Sequence, residues 1–363
     1  MRTFTCVCGN RLFFENTHCL ACQRDVGWCP VCRSISALLA EGGVRFVCGN
    51  ESCRAGLIKC RNYLIEDICN RCISAPPEDR PTTSPLCDWC RLTAVIPDLS
   101  VPGNRQKWYR LEVAKRRLLY LLDLLALPYS GAAPGPSPPL SFDFKADSVP
   151  RDGVWRMMTA ERVYTGHQDG KITINIREAD DVEREKLRVD LREAHRTLAG
   201  HFRHEIGHYF WQVLIAGQHE AEFIDRFGDY RNPPYSAALE AYYRDGPPAD
   251  WQARFVSAYS AMHPWEDFAE TFALYLDIAD VLDTASHNEL AGGLDVQSLD
   301  AEEMIATYLE LGVAANELNR SMGLIDLVPE VLTPAVCEKL AFVHERVTSA
   351  RENLALCAGA TSA

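Results

Sequence analysis

Thirteen of the fifteen cysteines fall before residue 91, many of them as C-x-x-C pairs, and nothing else in the 363 residues constrains the fold as strongly. Paired thiols with two residues between them make metal-binding knuckles, so the pattern points to zinc and not to a disulfide framework. Cys6 and Cys8 with Cys19 and Cys22 can close on one ion as a thiolate tetrahedron. Cys29, Cys32, Cys48 and Cys53 make a second set. The third set has five thiols for four positions: Cys60, Cys69, Cys72, Cys87 and Cys90. Spacing alone favours Cys69 and Cys72 with Cys87 and Cys90 there. A segment this short lacks a large apolar core, so about three structural zinc ions are expected to supply much of its folding free energy.

The remainder is long enough for further domains, and 47% hydrophobic residues suffice for a buried core. The net charge of −13 argues against a surface that binds polyanions throughout. The start does not resemble a signal peptide, and the longest apolar run, Leu118 to Leu127, is too short to span a bilayer and is broken by Asp123. A cytoplasmic protein without membrane contact is expected.

Along the chain, residues 1–95 read as the cysteine module, with strand-like pieces at Arg11–Phe14 and Val44–Val47. Residues 96–140 hold a helix, Arg105–Leu127, and a Pro/Gly/Ser linker, Pro128–Pro139. Residues 141–363 read as one largely helical domain. Within it Lys171–Ile176 (KITINI) alternates apolar and polar residues after Asp169-Gly170 and reads as a strand.

Chemistry enters at His204-Glu205-Ile206-Gly207-His208. On a helix, residues four apart share a face, so both histidines can reach one ion. Zinc lowers the pKa of its water towards neutrality, and Glu205 is beside it to take the proton as general base. His201 is seven residues from His208, roughly 10 Å along the axis, too far to join the same ion, and is expected in the core or behind the metal ligands. A catalytic zinc needs a third protein ligand and an open position. Glu266 and Glu270, at i and i+4 in HPWEDFAETFALYLDI, face one way among apolar neighbours. One can bind zinc while the other accepts the free N–H of a ligand histidine.

HEIGH followed by EDFAE resembles the gluzincin arrangement, which implies Glu266 as third ligand and Glu270 as the carboxylate orienting a histidine. The stretch is similar to the catalytic domain of anthrax lethal factor, where a tyrosine precedes the ligand glutamate by seven residues. That likeness implies that Tyr259 donates a hydrogen bond to the oxyanion or the departing amine. More broadly, FRHEIGHYFW, TGHQDGKITINI, GPPADW, HPWEDFAETFALYLDI and the start CxCGNxLFFENxxCxxC resemble a bacterial family of zinc-binding metallopeptidases with an N-terminal zinc ribbon. The resemblance covers most of the chain and implies a multidomain protein: a small β zinc-ribbon module followed by a mainly α, zincin-like (α+β) catalytic domain. It implies Cys60 and Cys69, not Cys69 and Cys72, with the final pair. The extra cysteines between Cys29 and Cys53 depart from the family pattern. In zincin folds an edge strand before the active-site helix pairs with extended substrate, so Ile172 and Ile174 become candidate substrate contacts.

The expectation is a peptidase acting on peptide or protein with one catalytic zinc. A competing reading makes the ribbons the working part, a nucleic-acid-binding protein or a protease recruited to DNA, with Arg61, Arg71, Trp89 and Arg91 as protein or nucleic-acid contacts. A third is a non-catalytic scaffold whose zinc is closed by a fourth protein ligand.

Overall fold

A computed structural model describes residues 1–76, 85–129, 136–147, 163–190 and 197–360, excepting the side chains of 187–190 and 357–360. The expected linker falls partly, at 130–135, outside the described residues. The chain divides into two compact units, one of Met1–Arg117, Ser141–Thr165 and Thr173–Leu198, the other of Leu118–Leu140, Gly166–Ile172 and Ala199–Ala363. The boundary expected near residue 140 does not coincide with this division.

In the first unit the strands are short and the cysteines sit at their ends. β1 (Phe4–Thr5) pairs antiparallel with β2 (Arg11–Leu12). A five-stranded antiparallel sheet follows in sequence order: β3 (Val26–Cys29), β4 (Ser34–Gly42), β5 (Arg45–Cys48), β6 (Gly56–Lys59) and β7 (Cys72–Ser74), with the short helix α1 (Arg61–Leu64) after β6. Cys29 and Cys48 close β3 and β5, Cys60 follows β6 and Cys72 opens β7. Between the knuckles lies a small aromatic core in which Phe4 and Phe14 meet Trp28 edge-on and Trp28 stacks on Trp89. Two of the candidate recognition residues belong to this core: Arg71 is 4% and Trp89 2% exposed, with the guanidinium carbon 3.6 Å from the Trp89 ring. They are therefore internal, whereas Arg61 and Arg91 are exposed.

β8 (Thr93–Val95) leads into α2 (Asn104–Leu124), which stops where Ala126 takes a positive φ. Next come β9 (Ser141–Lys145), β10 (Gly166–Gln168) and β11 (Lys171–Asn175). Asp169 and Gly170, both at positive φ, form the two-residue turn between the last two strands. The sheet order is β10-β11-β9-β8. This corrects the expectation for Lys171–Ile176: β11 has a neighbour on each side, and Ile172 and Ile174 are fully buried, so neither offers a substrate a free strand edge or an exposed side chain. The edge is β10. α3 (Asp181–Asp190) completes this part.

The second unit is built on helices: α4 (Leu198–Leu214), α5 (Glu220–Phe227), α6 (Tyr235–Asp245), α7 (Pro264–His287), α8 (Ala301–Ser321) and α9 (Pro334–Ala360). α7 is the central one and packs against α5, α8 and α9. Its start is fixed locally. His263 Nδ1 accepts the Trp265 N–H at 3.2 Å, Pro264 stands at the first position, and Glu266 and Asp267 in the first turn complement the helix dipole. α4 crosses α7 at Gly207, where a Cβ would lie 2.8 Å from Ala269 Cα and 2.9 Å from its carbonyl oxygen. Only glycine allows that approach. Phe210 stacks on Phe272, and Arg203 reaches Asp277 and Asp280. Among the described residues no helix is long and apolar enough to cross a membrane.

Candidate metal centre

The close crossing of α4 and α7 brings His204, His208 and Glu266 together. His204 Nε2 and His208 Nε2 are 3.1 Å apart, and Glu266 Oε2 lies 3.0 Å from the first and 3.5 Å from the second. Ligands held at about 2.1 Å in a tetrahedron stand about 3.4 Å from one another, so this triangle suits one zinc ion. Glu266 is 2% exposed, yet its Oε2 has no hydrogen-bond partner. A buried, unpartnered carboxylate oxygen facing two imidazole nitrogens is the donor set such an ion requires.

Two of the three ligands, His204 and Glu266, are held from behind. Glu270 Oε1 is 2.6 Å from His204 Nδ1, which sets the ring proton there and leaves Nε2 free to coordinate. Burial opposes charge on His204, and the Glu266 and Glu270 carboxylates outweigh it, holding the imidazole well above its ordinary pKa. Burial likewise opposes charge on Glu266, but the two histidines hold its carboxyl well below the usual range. Tyr235 donates to Glu266 Oε1 at 2.8 Å. Sequence reasoning missed this residue: it lies 31 positions before Glu266, and only the Pro-Pro before it marks a helix start.

Glu205 is next to His204 on α4, 8% exposed, with Oε2 lacking a hydrogen-bond partner. The Tyr259 ring is 6.2 Å from that of His204, and burial raises its phenol above the ordinary pKa. His201 is half-buried and outside the ligand group. His167, on edge strand β10, meets Tyr209 edge-on, and burial pushes its pKa down to about 4.

The thiols gather as Cys6, Cys8, Cys19 and Cys22; as Cys29, Cys32, Cys48 and Cys53; and as Cys60, Cys69, Cys87 and Cys90. Sulfur separations run from 3.7 Å (Cys6–Cys22, Cys8–Cys19) through 3.8 Å (Cys29–Cys53, Cys32–Cys48) to 3.9 Å (Cys69–Cys87). A disulfide needs about 2.05 Å, whereas tetrahedral zinc with bonds of about 2.3 Å spaces its thiolates about 3.8 Å apart. Cys72 stands outside the third group. A Cβ on Gly27 would sit 3.0 Å from its Sγ, so the thiol packs on β3.

A cysteine-stapled β module thus precedes a helical domain with sheets, and the ligand chemistry of both is that of zinc. Residues 104–346 match the family described as "Putative zinc-binding metallo-peptidase", and residues 3–101 match a zinc-ribbon domain. The chain belongs to that metallopeptidase family. Uncharacterized proteins of Mycobacterium tuberculosis and Mycobacterium bovis are each 40% identical to it over 354 residues, covering 95% of this chain and 94% of their own. No solved structure matches the chain significantly.

Proposed function

We propose that the chain is a gluzincin-like metallopeptidase with a zincin-like catalytic domain, hydrolysing peptide bonds in peptide or protein substrates. One observation carries this reading: two imidazoles on α4 and a buried, unpartnered carboxylate oxygen on α7 converge, and Glu205 follows His204 directly on α4. His204, His208 and Glu266 would hold one zinc, and the ribbons three more. Zinc supplies Lewis acidity, making water a nucleophile at neutral pH and polarising a carbonyl.

The chain's own residues supply the rest. Three protein ligands leave a tetrahedral ion one position for a reactant. Glu205 accepts the proton of the attacking water and carries it towards the leaving amine. Glu270 keeps the His204 proton on Nδ1. Tyr259, whose raised pKa keeps its hydroxyl protonated, donates to the oxygen on which charge develops.

The test is Glu205→Gln in the full chain. Zinc content should stay at the wild-type value while cleavage of a peptide library falls about 10²–10⁴-fold. A variant that cleaves at the wild-type rate removes Glu205 from the mechanism.

A further inference from the structure

Glu266 is acceptor-only when ionised, so the phenol 2.8 Å from its Oε1 must be the donor. That contact occupies one carboxylate oxygen and leaves Oε2 alone facing His204 and His208. Tyr235 stands at the first position of α6, after Pro234, with its ring against His263 and Trp265 at the start of α7. The ring is thus fixed from the same helix turn that carries Glu266.

We infer that Tyr235 is a positioning residue of the metal centre. Its phenol restricts Glu266 to one coordinating oxygen. The inference rests on the assignment of His204, His208 and Glu266 as zinc ligands in the reading above.

Tyr235→Phe retains the ring and removes the donor. In the full zinc-loaded chain, a competing chelator reads the affinity of the one zinc that His208→Ala lacks. Tyr235→Phe should keep the wild-type zinc count at saturation while holding that zinc about 10–100-fold more weakly. Placed on Glu266→Gln, where the carboxylate is already gone, Tyr235→Phe should weaken zinc no further, because the two residues act as one unit. Equal weakening in both backgrounds would mean that the ring matters only for packing. Unchanged affinity, or a Tyr235→Phe chain that does not fold, would also overturn the inference. Peptide cleavage on the same samples separates the two proposals. A chain whose zinc depends on Tyr235 but which cleaves nothing retires the peptidase reading alone. Cleavage with zinc affinity indifferent to Tyr235 retires this one alone.

Discussion

The cysteine groups and the helix pair treat a metal in opposite ways. Each cysteine group brings four sulfurs to nearly uniform separations, 3.7–3.9 Å where measured, and so completes a coordination shell. Among the described residues the helix pair brings three ligand atoms together, and Glu205, with an unpartnered carboxylate oxygen, follows the first of them on α4. The scaffolds differ to match. Strands of two to four residues, β4 excepted, bury too little to hold the knuckles without their ion. α7 instead is held by helix packing, by the stack of Phe210 on Phe272, and by the buried pair of Lys339 and Asp267 at 2.6 Å. Metal makes the first fold, whereas the second fold makes a metal site.

Removing one ligand from a closed group should therefore have the largest effect. Structural zinc in small modules contributes about 10–16 kcal/mol, far more than a short sheet can replace. Cys87→Ser should lower zinc content by one and abolish the dispersed amide spectrum around β6 and β7. A well-dispersed spectrum with one zinc fewer would show that the aromatic core holds the module unaided and would break the contrast.

The helix pair should fail through packing instead. In Gly207→Ala the new methyl meets the backbone of Ala269 at 2.8 Å, which cannot move as a side chain can. The helices must separate, at a cost of roughly 1–3 kcal/mol in urea unfolding. Zinc at His204, His208 and Glu266 should weaken in parallel. Full zinc affinity in a destabilised protein would show that the ligands reach the ion without the tight crossing.

Local chemistry was legible in the sequence; long-range neighbours were not. The H-E-x-x-H spacing and the i, i+4 glutamates fix which residues share a helix face, and the structure brings those faces together. The KITINI alternation correctly gave a strand, but whether a strand is an edge depends on β9, some thirty residues earlier. Tyr235 reaches Glu266 through a fold contact that no spacing rule encodes. Arg71 and Trp89 read as recognition contacts from charge and aromaticity, yet they stack on each other inside a small core, where Arg71 also pairs with Asp88 at 3.4 Å.

Cys72 gives the smallest effect and the finest test. Its C-x-x-C spacing with Cys69 suggests a ligand, but β7 pairs it with Lys59 on β6 and its sulfur packs against Gly27. Burial pushes the thiol up to about 12. It therefore stays protonated at pH 8, becoming a thiolate only as the pH rises towards that value, and should alkylate more slowly than a free thiol. Cys72→Ala should keep the full zinc count and cost about 1 kcal/mol for the lost packing. Cys60→Ala, one residue beyond the other strand of the same pair, should lose a zinc. If Cys72→Ala loses the zinc and Cys60→Ala keeps it, the shell is completed by spacing along the chain and not by the sheet, and the closed third site must be redrawn around Cys72.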